Sequence, residues 1–301
     1  MREKSEKKEE FMKEKRSRIK SAASFFIMLI GLAALISLPA FAEEFKYDFP
    51  SSAAQVNIEL DGRRILDGEA AIIDSVTYVP LRSFSELCGA EDIGWDQKTR
   101  TATVEKYNMK AYISQESPYI EASGRYFMLN TPVRNISDRL FVPIRELSKL
   151  FSVEVNWNGK TRTVVLKSTN KKFINGNNYY NGDDLYWLSR IISAESRGEV
   201  LRGKIAVGNV VLNRKRSSSY PNTIYGVIFD RKNGTQFSPV AIGSIYNTPT
   251  KESVIAAKIC LEGYTLSDEI LFFMNPATAT NNWISKNRKF AFRIGNHSFY
   301  K

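Results

Sequence analysis

The middle of the chain contains an internal repeat, and this repeat restricts the folds that the region can adopt. The first copy reads IELDGRRILDGEAAIIDSVTYVPLRSFSELCGAEDIGWDQKTRTATVE, and the second reads YIEASGRYFMLNTPVRNISDRLFVPIRELSKLFSVEVNWNGKTRTVVLK. The equivalent residues, about 62 positions apart, include Pro80 and Pro143, Arg82 and Arg145, Trp95 and Trp157, and Thr99-Arg100-Thr101 and Thr161-Arg162-Thr163. The spacing predicts two similar supersecondary units that share one domain.

Each copy is predicted to be rich in β-structure with a single helix. Tight turns are indicated at Asp61-Gly62, Ser123-Gly124 and Asn158-Gly159. An amphipathic helix is expected after the shared Val-Pro-hydrophobic-Arg step. The Lys-Thr-Arg-Thr segment that follows alternates polar and apolar residues, which is typical of a closing hairpin.

These repeats resemble the copper amine oxidase N-terminal-like module over roughly residues 55 to 168. Copper sites use imidazole or thiolate ligands, and this region contains no histidine and one cysteine. The resemblance therefore implies an adhesive or spacer module without oxidase chemistry. Trp95 and Trp157 are predicted to lie in the core, and stacking of the two rings on sugars is the alternative.

The amino-terminal segment, residues 1–42, is predicted to be a secretory signal. A lysine- and glutamate-rich run precedes FFIMLIGLAALISLPAFA, and small residues at Ala40 and Ala42 favour cleavage after Ala42. An uncleaved anchor is the alternative, although the apolar run from Phe25 to Leu38 is shorter than the roughly 20 residues of a spanning helix. Both interpretations place the remainder outside the cytoplasm.

The rest of the chain is predicted to contain a repeat domain, a linker and a second domain. Residues 43–168 form the repeat domain, a stalk or wall-binding module, and residues 169–182 form a linker rich in Asn, Gly and Lys. Residues 183–301 form a second, mainly helical domain, whose first helix is capped by Asp183 or Asp184. The predicted fold class is α+β.

The net positive charge of the exported part lies in the second domain. Residues 183–301 carry 16 basic and 9 acidic side chains, a net charge of +7, whereas residues 43–182 carry 18 of each. A cationic exported surface suits an anionic cell wall better than nucleic acid. Cys88 and Cys260 lie in apolar helical patterns and are predicted to be buried thiols rather than a disulfide.

One carboxylate lies on the apolar face of a predicted helix. Counting from Asp184, the apolar stripe Leu185, Leu188 and Ile192 continues at Glu195. Burial disfavours the ionised form of a carboxyl group and raises its pKa, which suits a group that delivers a proton at neutral pH. Gly198 predicts that the helix ends or bends here and opens Glu195 to a cleft.

Two alternatives compete with a catalytic role for Glu195. The carboxylate would be structural if it paired with Arg197, Arg202 or Arg214. Glu199, one turn onward in a predicted loop, is assigned to a supporting position or to the start of the next helix. That helix, from Arg202 to about Lys215, is apolar nearly all round and is predicted to be the central buried helix.

Four segments of the second domain resemble successive motifs of the SleB/CwlJ-type cell wall hydrolases, the spore cortex-lytic family. They are LSRIISAESRGEVLRGKIAVGNVVLNRKRSSSYPNTIYGVIF, QFSPVAIGSIYNTP, LFFMNPATATNNWI and RIGNHSFY, in this order, between residues 184 and 301. The resemblance implies a lysozyme-like domain with a small sheet, and the family's catalytic glutamate maps onto Glu195 in the pattern A-E-x-x-G-E. The chain departs from the family's usual Ala at Ser196 and usual Gln at Lys204.

The resemblance also implies a chemistry. Lytic transglycosylases of this family cleave peptidoglycan with one acid, which protonates the oxygen between N-acetylmuramic acid and N-acetylglucosamine and then deprotonates the C6 hydroxyl. The product is a 1,6-anhydro end, and the implied site needs no metal and no cofactor. A water-using muramidase normally needs two acids.

The other motifs supply candidate substrate-binding residues. Gln236, Phe237 and Ser238 are expected to present an amide, a ring and a hydroxyl to N-acetyl groups, or else to form a strand edge. Asn275 is expected at the end of a buried strand, Leu271 to Met274. The remaining candidates are Asn213 and Arg214, for which helix capping is the alternative, and Trp283 and Tyr246, whose rings would stack on sugar faces.

Three other functions are alternatives to glycan cleavage. A zinc amidase would need two or three histidines, and the chain has only His297. A cysteine peptidase would use Cys260, which is predicted to be buried and inert, with His297, which is predicted to be a hydrogen-bonded structural residue. A non-catalytic wall-binding scaffold remains as an alternative.

The sequence thus predicts an exported two-part protein that acts on peptidoglycan glycan strands and meets anionic wall polymers. Neither nucleic acid nor stable membrane insertion after signal cleavage is expected. The sequence leaves open whether the substrate is spore cortex, degraded during germination, or vegetative wall.

Overall fold

The computed structural model describes residues 47–169, 171–232, 234–279 and 281–301. The predicted signal, residues 1–42, lies outside these residues. The protein is α+β, as predicted, with a β-rich region built from the two repeats followed by a mainly helical domain with a small sheet. Among the described residues, none of the helices has the length and apolar character needed to cross a bilayer.

The strands of the described residues are β1 (Ala54–Gln55), β2 (Asn57–Leu60), β3 (Arg63–Ile65), β4 (Ala71–Ile73), β5 (Val76–Pro80), β6 (Asp92–Asp96), β7 (Thr101–Lys106), β8 (Met109–Ser114), β9 (Tyr119–Ala122), β10 (Arg125–Met128), β11 (Arg134–Ile136), β12 (Arg139–Pro143), β13 (Val153–Asn158), β14 (Thr163–Ser168), β15 (Phe272–Met274), β16 (Phe290–Ile294) and β17 (His297–Tyr300). The helices are α1 (Leu81–Leu87), α2 (Ile144–Leu150), α3 (Gly176–Tyr179), α4 (Gly182–Ser196), α5 (Leu201–Arg216), α6 (Ile224–Phe229), α7 (Ser238–Ala241), α8 (Lys251–Leu261) and α9 (Trp283–Asn287), with a 3-10 turn at Ser244–Tyr246.

The two repeat copies meet across equivalent strands. Strands β5 and β12 pair antiparallel, and Val79 lies opposite Val142. These two valines hold the same position in their copies, one residue before the shared proline. The pair therefore marks a local two-fold relation at the centre of the sheet β1-β4-β5-β12-β11.

The copies also exchange hairpins, so they form one domain rather than two. The opening hairpin of copy one, β2–β3, joins the closing hairpin of copy two in the sheet β13-β14-β2-β3. The opening hairpin of copy two, β9–β10, completes the sheet β10-β9-β8-β7-β6 with the closing hairpin of copy one. Both copies contribute to one core, in which Phe84 of α1 and Leu147 of α2 are fully buried.

Two of the three predicted tight turns have the expected backbone. Asp61 and Gly62 have φ of 50° and 80°, and Ser123 and Gly124 have φ of 43° and 81°, as two-residue hairpin turns require. The turn predicted at Asn158-Gly159 also joins two paired strands, β13 and β14, but its loop has four residues, 159–162. Asn158 ends β13 and its side-chain oxygen accepts from the amides of Lys160 and Thr161, which makes a longer turn.

The prediction that Trp95 and Trp157 lie in the core was also wrong. Their exposed fractions are 46% and 48%. Both belong to strands β6 and β13, which are edge strands of their sheets, so one side of each ring has no neighbouring strand. The repeated tryptophan is a surface feature of this domain.

The second domain is built around α5, as predicted. This helix is buried over most of its length, and α4 and α8 pack against it. The sheet β15-β17-β16 closes one side. Helix α4 is capped by Asn181, whose side chain accepts from the amide of Asp184, and not by either predicted aspartate. Cys88 and Cys260 are free and buried, as predicted.

The repeat domain and the helical domain are joined by a buried ion pair. The guanidinium of Arg125 in β10 donates to both carboxylate oxygens of Glu262 at 2.8 and 2.6 Å, and the Tyr180 hydroxyl donates to the same carboxylate at 2.7 Å. Tyr126 and Met128 of β10 belong to the core of the helical domain. The two domains are therefore packed together, while the predicted domain and linker boundaries stay predictions.

Candidate active site

A groove of about 460 Å³ opens at the carboxyl end of α4. The residues that line it come from the α4–α5 connection, α5, the segment before α7, strand β15 with its following loop, α9 and β17. They are Glu195, Ser196, Arg197, Gly198, Glu199, Arg214, Gln236, Phe237, Ser238, Phe273, Met274, Asn275, Thr278, Ala279, Ile284 and His297.

Helix α4 carries Glu195 into this groove. Leu188 and Ile192 on the same stripe are fully buried, and the helix ends at Ser196, one residue after the carboxylate. The Ser196 hydroxyl donates to the Ile192 carbonyl at 2.6 Å and so remains within the helix. Glu195 is thus a partly buried acid at a helix end, in contact with the groove.

The Glu195 carboxyl group is poised to hold a proton near neutral pH. Burial raises its pKa to about 7, and the positive charge of Arg214 opposes this shift. No described basic nitrogen lies within 4.0 Å of the carboxylate, so the alternative pairings with Arg197, Arg202 and Arg214 do not form. The group is therefore available to a ligand in the groove.

Arg214 supplies a fixed positive charge to the same groove. Its exposed fraction is 5%, and its Nε donates to the Leu271 carbonyl at 2.8 Å. The guanidinium lies over three aromatic rings, with centroid distances of 5.1 Å to Tyr220, 5.2 Å to Phe237 and 5.5 Å to Phe272. Its Nη1 is buried and has no hydrogen-bond partner. Burial lowers the Arg214 pKa, yet an arginine remains charged at any physiological pH.

Glu199 is held by the carboxy-terminal hairpin turn. It accepts from the Asn296 amide at 3.2 Å and from the Asn296 side chain at 3.0 Å. A Cβ on Gly295 would lie 1.9 Å from Oε2 of Glu199, so only glycine fits at this position, where φ is 54°. These contacts tie the loop that follows Glu195 to the far end of the chain. The supporting position assigned to Glu199 agrees with this geometry.

His297 lies in the groove wall as a packed, unpaired imidazole. Its ring meets Phe273 edge-on with a centroid distance of 5.4 Å, and its Nδ1 is 3.7 Å from Oε1 of Glu199. Burial lowers the pKa of His297, and the charge of Glu199 partly offsets that effect. No described residue hydrogen bonds to the ring, so the expected hydrogen-bonded role was wrong, and packing holds the imidazole instead.

Five of the seven predicted substrate-binding residues meet Glu195 in the groove. Gln236 and Ser238 lie at its rim, and Phe237, with an exposed fraction of 2%, lies beneath it. The QFS segment leads into α7 and is not a strand edge; Asn233, which precedes it, is outside the described residues. Asn275 follows β15 and its side-chain oxygen accepts from the Ala277 amide at 3.0 Å. The fifth is Arg214.

Asn213 and Trp283 lie outside the groove. The Asn213 amide donates to the carbonyls of Ser267 and Ile270 at 2.9 and 2.8 Å, which occupies both of its hydrogens in holding a loop. A substrate-binding role for Asn213 is therefore not supported. Trp283 packs edge-on against Phe272 and under Arg288, and it is the next residue, Ile284, that lines the groove.

Two features of the site escaped prediction from sequence. The link between Glu199 and Asn296 joins residues 97 positions apart, although the second glutamate of AESRGE and the GNH tail motif were both visible. Lys204 is buried and bonds to the Glu199 carbonyl and to Glu252, whose carboxylate lies 2.7 Å from Nζ. The basic residue at this unusual position therefore stabilises the start of α5 rather than charging the groove.

Comparison with known proteins identifies both parts of the chain. Residues 198–300 match the model of the Cell Wall Hydrolase family, and residues 59–166 match that of the Copper amine oxidase N-terminal domain. Glu195 lies just before the first of these matched ranges, so its assignment stands on the groove geometry and on the AESRGE motif.

The most similar curated relatives include two spore cortex-lytic enzymes. The Bacillus cereus enzyme is 37% identical over 135 residues, which are 45% of this chain and 51% of the relative. The Bacillus subtilis enzyme is 37% identical over 120 residues, 40% of this chain and 38% of the relative. The chain thus spans about half or less of the length of these relatives.

Two solved structures also match. The catalytic domain of the germination-specific lytic transglycosylase SleB from Bacillus anthracis is 38% identical, with a TM-score of 0.38, and the match covers 43% of this chain and all of that domain. The catalytic domain of Bacillus cereus SleB is 38% identical, with a TM-score of 0.37, over 40% of this chain and 92% of that domain. The carboxy-terminal part of this chain is a domain of the cell wall hydrolase family, and it follows a domain of the copper amine oxidase N-terminal type.

Proposed function

We propose that the protein is a peptidoglycan lytic transglycosylase in which Glu195 acts first as an acid and then as a base. The observation that carries this proposal is the state of Glu195: a partly buried carboxyl group with a pKa near 7, no ion pair among the described residues, and direct access to a groove. A carboxylic acid that keeps its proton near neutral pH can protonate a leaving oxygen.

The first step breaks the bond between C1 of N-acetylmuramic acid and the bridging oxygen. Glu195 gives its proton to that oxygen, N-acetylglucosamine leaves as an alcohol, and positive charge develops at C1 and the ring oxygen. The Glu195 carboxylate formed in this step gains stability from the buried charge of Arg214, which favours the ionised form.

The second step closes the anhydro ring. The Glu195 carboxylate takes the proton from the C6 hydroxyl while O6 forms a bond to C1. The enzyme ends with the proton it began with, and no water is consumed. A single carboxyl group with a pKa near 7 suits both roles because neither of its protonation states is strongly favoured.

The environment of Glu199 supports an internal nucleophile over water. An inverting muramidase needs a second carboxylate that faces the sugar and binds a water molecule. Glu199 is the other carboxylate among the groove residues, and it already accepts hydrogen bonds from the Asn296 main chain and side chain. It is therefore poorly placed to activate water.

The names of the relatives support the substrate class. The matched curated relatives are called spore cortex-lytic enzymes, and one matched structure is titled a germination-specific lytic transglycosylase. We assign this chain to the same polymer, cell wall or spore cortex peptidoglycan, and to degradation during germination. Export by residues 1–42, an association of the +7 carboxy-terminal segment with anionic wall polymers, and a positioning role for the repeat domain complete the proposal.

Product analysis tests the reaction type. Purified cortex and vegetative peptidoglycan are digested with the wild type and with Glu195→Gln, reduced with borohydride, and examined by mass spectrometry. Anhydro ends that are absent with the variant support the proposal. Ends that borohydride reduces would mean that water is the nucleophile, and undigested wall would leave a binding scaffold as the better description.

A further inference from the structure

The repeat domain has a groove of its own, remote in sequence from the hydrolase motifs. Its volume is about 310 Å³, near the lower end of the roughly 300–1,000 Å³ typical of ligand sites. Both repeat copies contribute walls: the β4–β5 hairpin of copy one, and the start of α2 and strands β13 and β14 of copy two. The residues that line it are Ile72, Ser75, Val76, Thr77, Asn130, Thr131, Pro143, Ile144, Arg145, Glu146, Val155, Asn156, Trp157 and Val164.

Trp157 gives this groove an exposed aromatic wall. It lies on the edge strand β13, opposite Val164 of β14, and its exposed fraction is 48%. Its indole nitrogen has no hydrogen-bond partner among the described residues. An aromatic ring that is both exposed and part of a concave wall offers its face for stacking on a ligand.

Glu146 places a buried carboxyl group without a side-chain partner in the same groove. Its exposed fraction is 8%, no other described side chain hydrogen bonds to it, and no described basic nitrogen lies within 4.0 Å. Burial raises its pKa, and the charge of Lys149, a hydrogen bond from the Glu146 amide to its own carboxylate and the charge of Arg145 oppose the shift. The Thr131 hydroxyl is likewise buried without a partner. Buried polar groups are normally hydrogen-bonded, so the unpaired Thr131 hydroxyl, in the same groove as a buried carboxyl group without a side-chain partner, indicates a ligand that would bind both.

The first repeat copy satisfies the corresponding groups internally. Ser83 occupies the position of Glu146 and donates to Glu69 at 3.1 Å. The indole nitrogen of Trp95, which is equivalent to Trp157, donates to Gln97 at 2.7 Å. The sequence difference between the copies thus leaves Glu146 and Trp157 without side-chain hydrogen-bond partners among the described residues, whereas their counterparts Ser83 and Trp95 have them.

The chemistry of the groove favours a sugar polymer over an anionic one. Its polar walls carry hydroxyl groups and two side-chain amides, Asn130 and Asn156, and its charged residues, Arg145 and Glu146, balance each other. Hydroxyl, amide and carboxyl groups beside an aromatic face suit the hydroxyl groups, the acetamido groups and the C–H face of an N-acetylated hexosamine.

We propose that this groove binds the glycan strand of peptidoglycan, with Trp157 stacked on a sugar and Glu146 and Thr131 hydrogen bonded to its hydroxyl or acetamido groups. The choice of polymer rests on the proposed function. The repeat domain is packed against the hydrolase domain through the Arg125 and Glu262 ion pair, so the groove would hold the glycan at a fixed distance from Glu195. Two linked sites on one polymer raise the overall affinity beyond that of either site.

Binding is tested with the full chain carrying Glu195→Gln, so that no substrate is consumed. Its affinity is measured by co-sedimentation with purified insoluble peptidoglycan and by calorimetry with N-acetylglucosamine oligomers. Adding Trp157→Ala is expected to weaken binding about tenfold, as loss of one central aromatic contact does, while Trp157→Phe restores part of it. The matched control is Trp95→Ala, which removes an equally exposed tryptophan from the other copy and is expected to leave binding unchanged.

Glu146→Leu is the second variant, since an apolar side chain at this position avoids the desolvation cost of a buried carboxylate that has no side-chain partner. It is expected to weaken binding while its melting temperature stays at or above that of the parent. Equal effects of Trp157→Ala and Trp95→Ala, or no effect of Trp157→Ala, would overturn the proposal. Binding to peptidoglycan that disappears after the stem peptides are removed, with no binding to the oligomers, would overturn it in favour of a peptide ligand.

This outcome is independent of the test of catalysis. A scaffold without activity would still lose affinity with Trp157→Ala, whereas an active transglycosylase without a glycan-binding repeat domain would show anhydro products and no dependence on Trp157.

Discussion

The two grooves of the protein each contain a partly or fully buried glutamate that has no ion pair among the described residues, yet their surroundings give the two acids different chemistry. Glu195 faces Arg214, a buried cation with one unpaired nitrogen, and its pKa lies near 7. Glu146 shares its groove with Trp157 and short polar side chains, and the two cations that act on it, Lys149 and Arg145, are exposed to solvent. Burial alone raises the pKa of a carboxyl group. A nearby buried cation also makes the ionised form accessible, which an acid that must become a base requires.

The largest effect is expected when the carboxyl group of Glu195 is replaced by an amide. We expect Glu195→Gln to lower the initial rate of muropeptide release by about 10²–10⁴-fold, because the amide cannot transfer a proton. The matched control is Asp183→Asn, at the exposed opposite end of the same helix, which should retain the wild-type rate. A Glu195→Gln enzyme with more than a tenth of wild-type activity would remove Glu195 from the mechanism.

The contribution of Arg214 is tested by pH profiles. The reactive free enzyme carries protonated Glu195, so kcat/KM of the wild type is expected to fall as the pH rises above about 7. Arg214→Gln removes the charge that lowers this pKa, so the falling limb should move to higher pH, with kcat/KM reduced about 10- to 100-fold through weaker stabilisation of the carboxylate.

Arg214→Lys keeps a positive charge, so the pH at which kcat/KM falls should stay closer to the wild-type value. Comparing the two variants separates the effect of the charge from the effect of lost packing. An unchanged limb in Arg214→Gln would show that the two groups do not interact. Both variants lose the bond to the Leu271 carbonyl, so their rates are compared at a temperature where both are folded.

Glu199 offers a contrast within the proposed catalytic groove, since its carboxylate accepts hydrogen bonds from the main chain and side chain of Asn296. Glu199→Gln places an NH₂ group against the Asn296 donors and is expected to cost about 1–3 kcal/mol of unfolding free energy, with a loss of activity much smaller than that of Glu195→Gln. Denaturant unfolding measures the first and muropeptide release the second. Glu154→Gln, an exposed carboxylate on β13, serves as the control and should change neither.

The smallest expected effect is a dependence of the unfolding free energy on pH. Both Glu195 and Glu146 should contribute to it. The folded-state pKa of Glu195 lies above the ordinary value of 4.5, so the folded state binds more protons between pH 4.5 and 7. The unfolding free energy therefore falls as pH rises through this range. Glu195→Gln and Glu146→Gln should each become more stable than the wild type above pH 7.

The expected gain for Glu195→Gln is on the order of 1 kcal/mol, because groove water reduces the cost of the partly exposed charge. It should vanish below pH 4.5, where both states of the wild type are protonated. Chemical unfolding at pH 4 and pH 8 measures the difference. A Gln variant that is less stable than the wild type at pH 8 would reveal a stabilising partner of the ionised carboxylate.

Much of the fold and the position of Glu195 on a buried helix face could be predicted from the sequence, because they depend on local spacing. The repeat period indicated two related β-rich units with one helix each. The stripe of Leu188 and Ile192 brought Glu195 to a buried face, and Gly198 marked the end of the helix. The apolar residues of α5 identified the central helix. Each of these inferences uses residues within a few turns of one another, whose geometry the backbone periodicity determines.

The environment of each site depended on contacts between distant residues, which only the tertiary structure decides. Trp95 and Trp157 are exposed because the hairpin exchange leaves their strands at sheet edges. The local sequence pattern does not indicate which strand forms the edge of a sheet. Asn213 and Arg214 were both expected in the groove, but of the two only Arg214 lines it. The Asn213 amide donates instead to the carbonyls of Ser267 and Ile270. Periodicity determines which face of an element is buried, while the free energy of packing the elements together decides which polar groups remain unpaired, and those are the groups available for catalysis and binding.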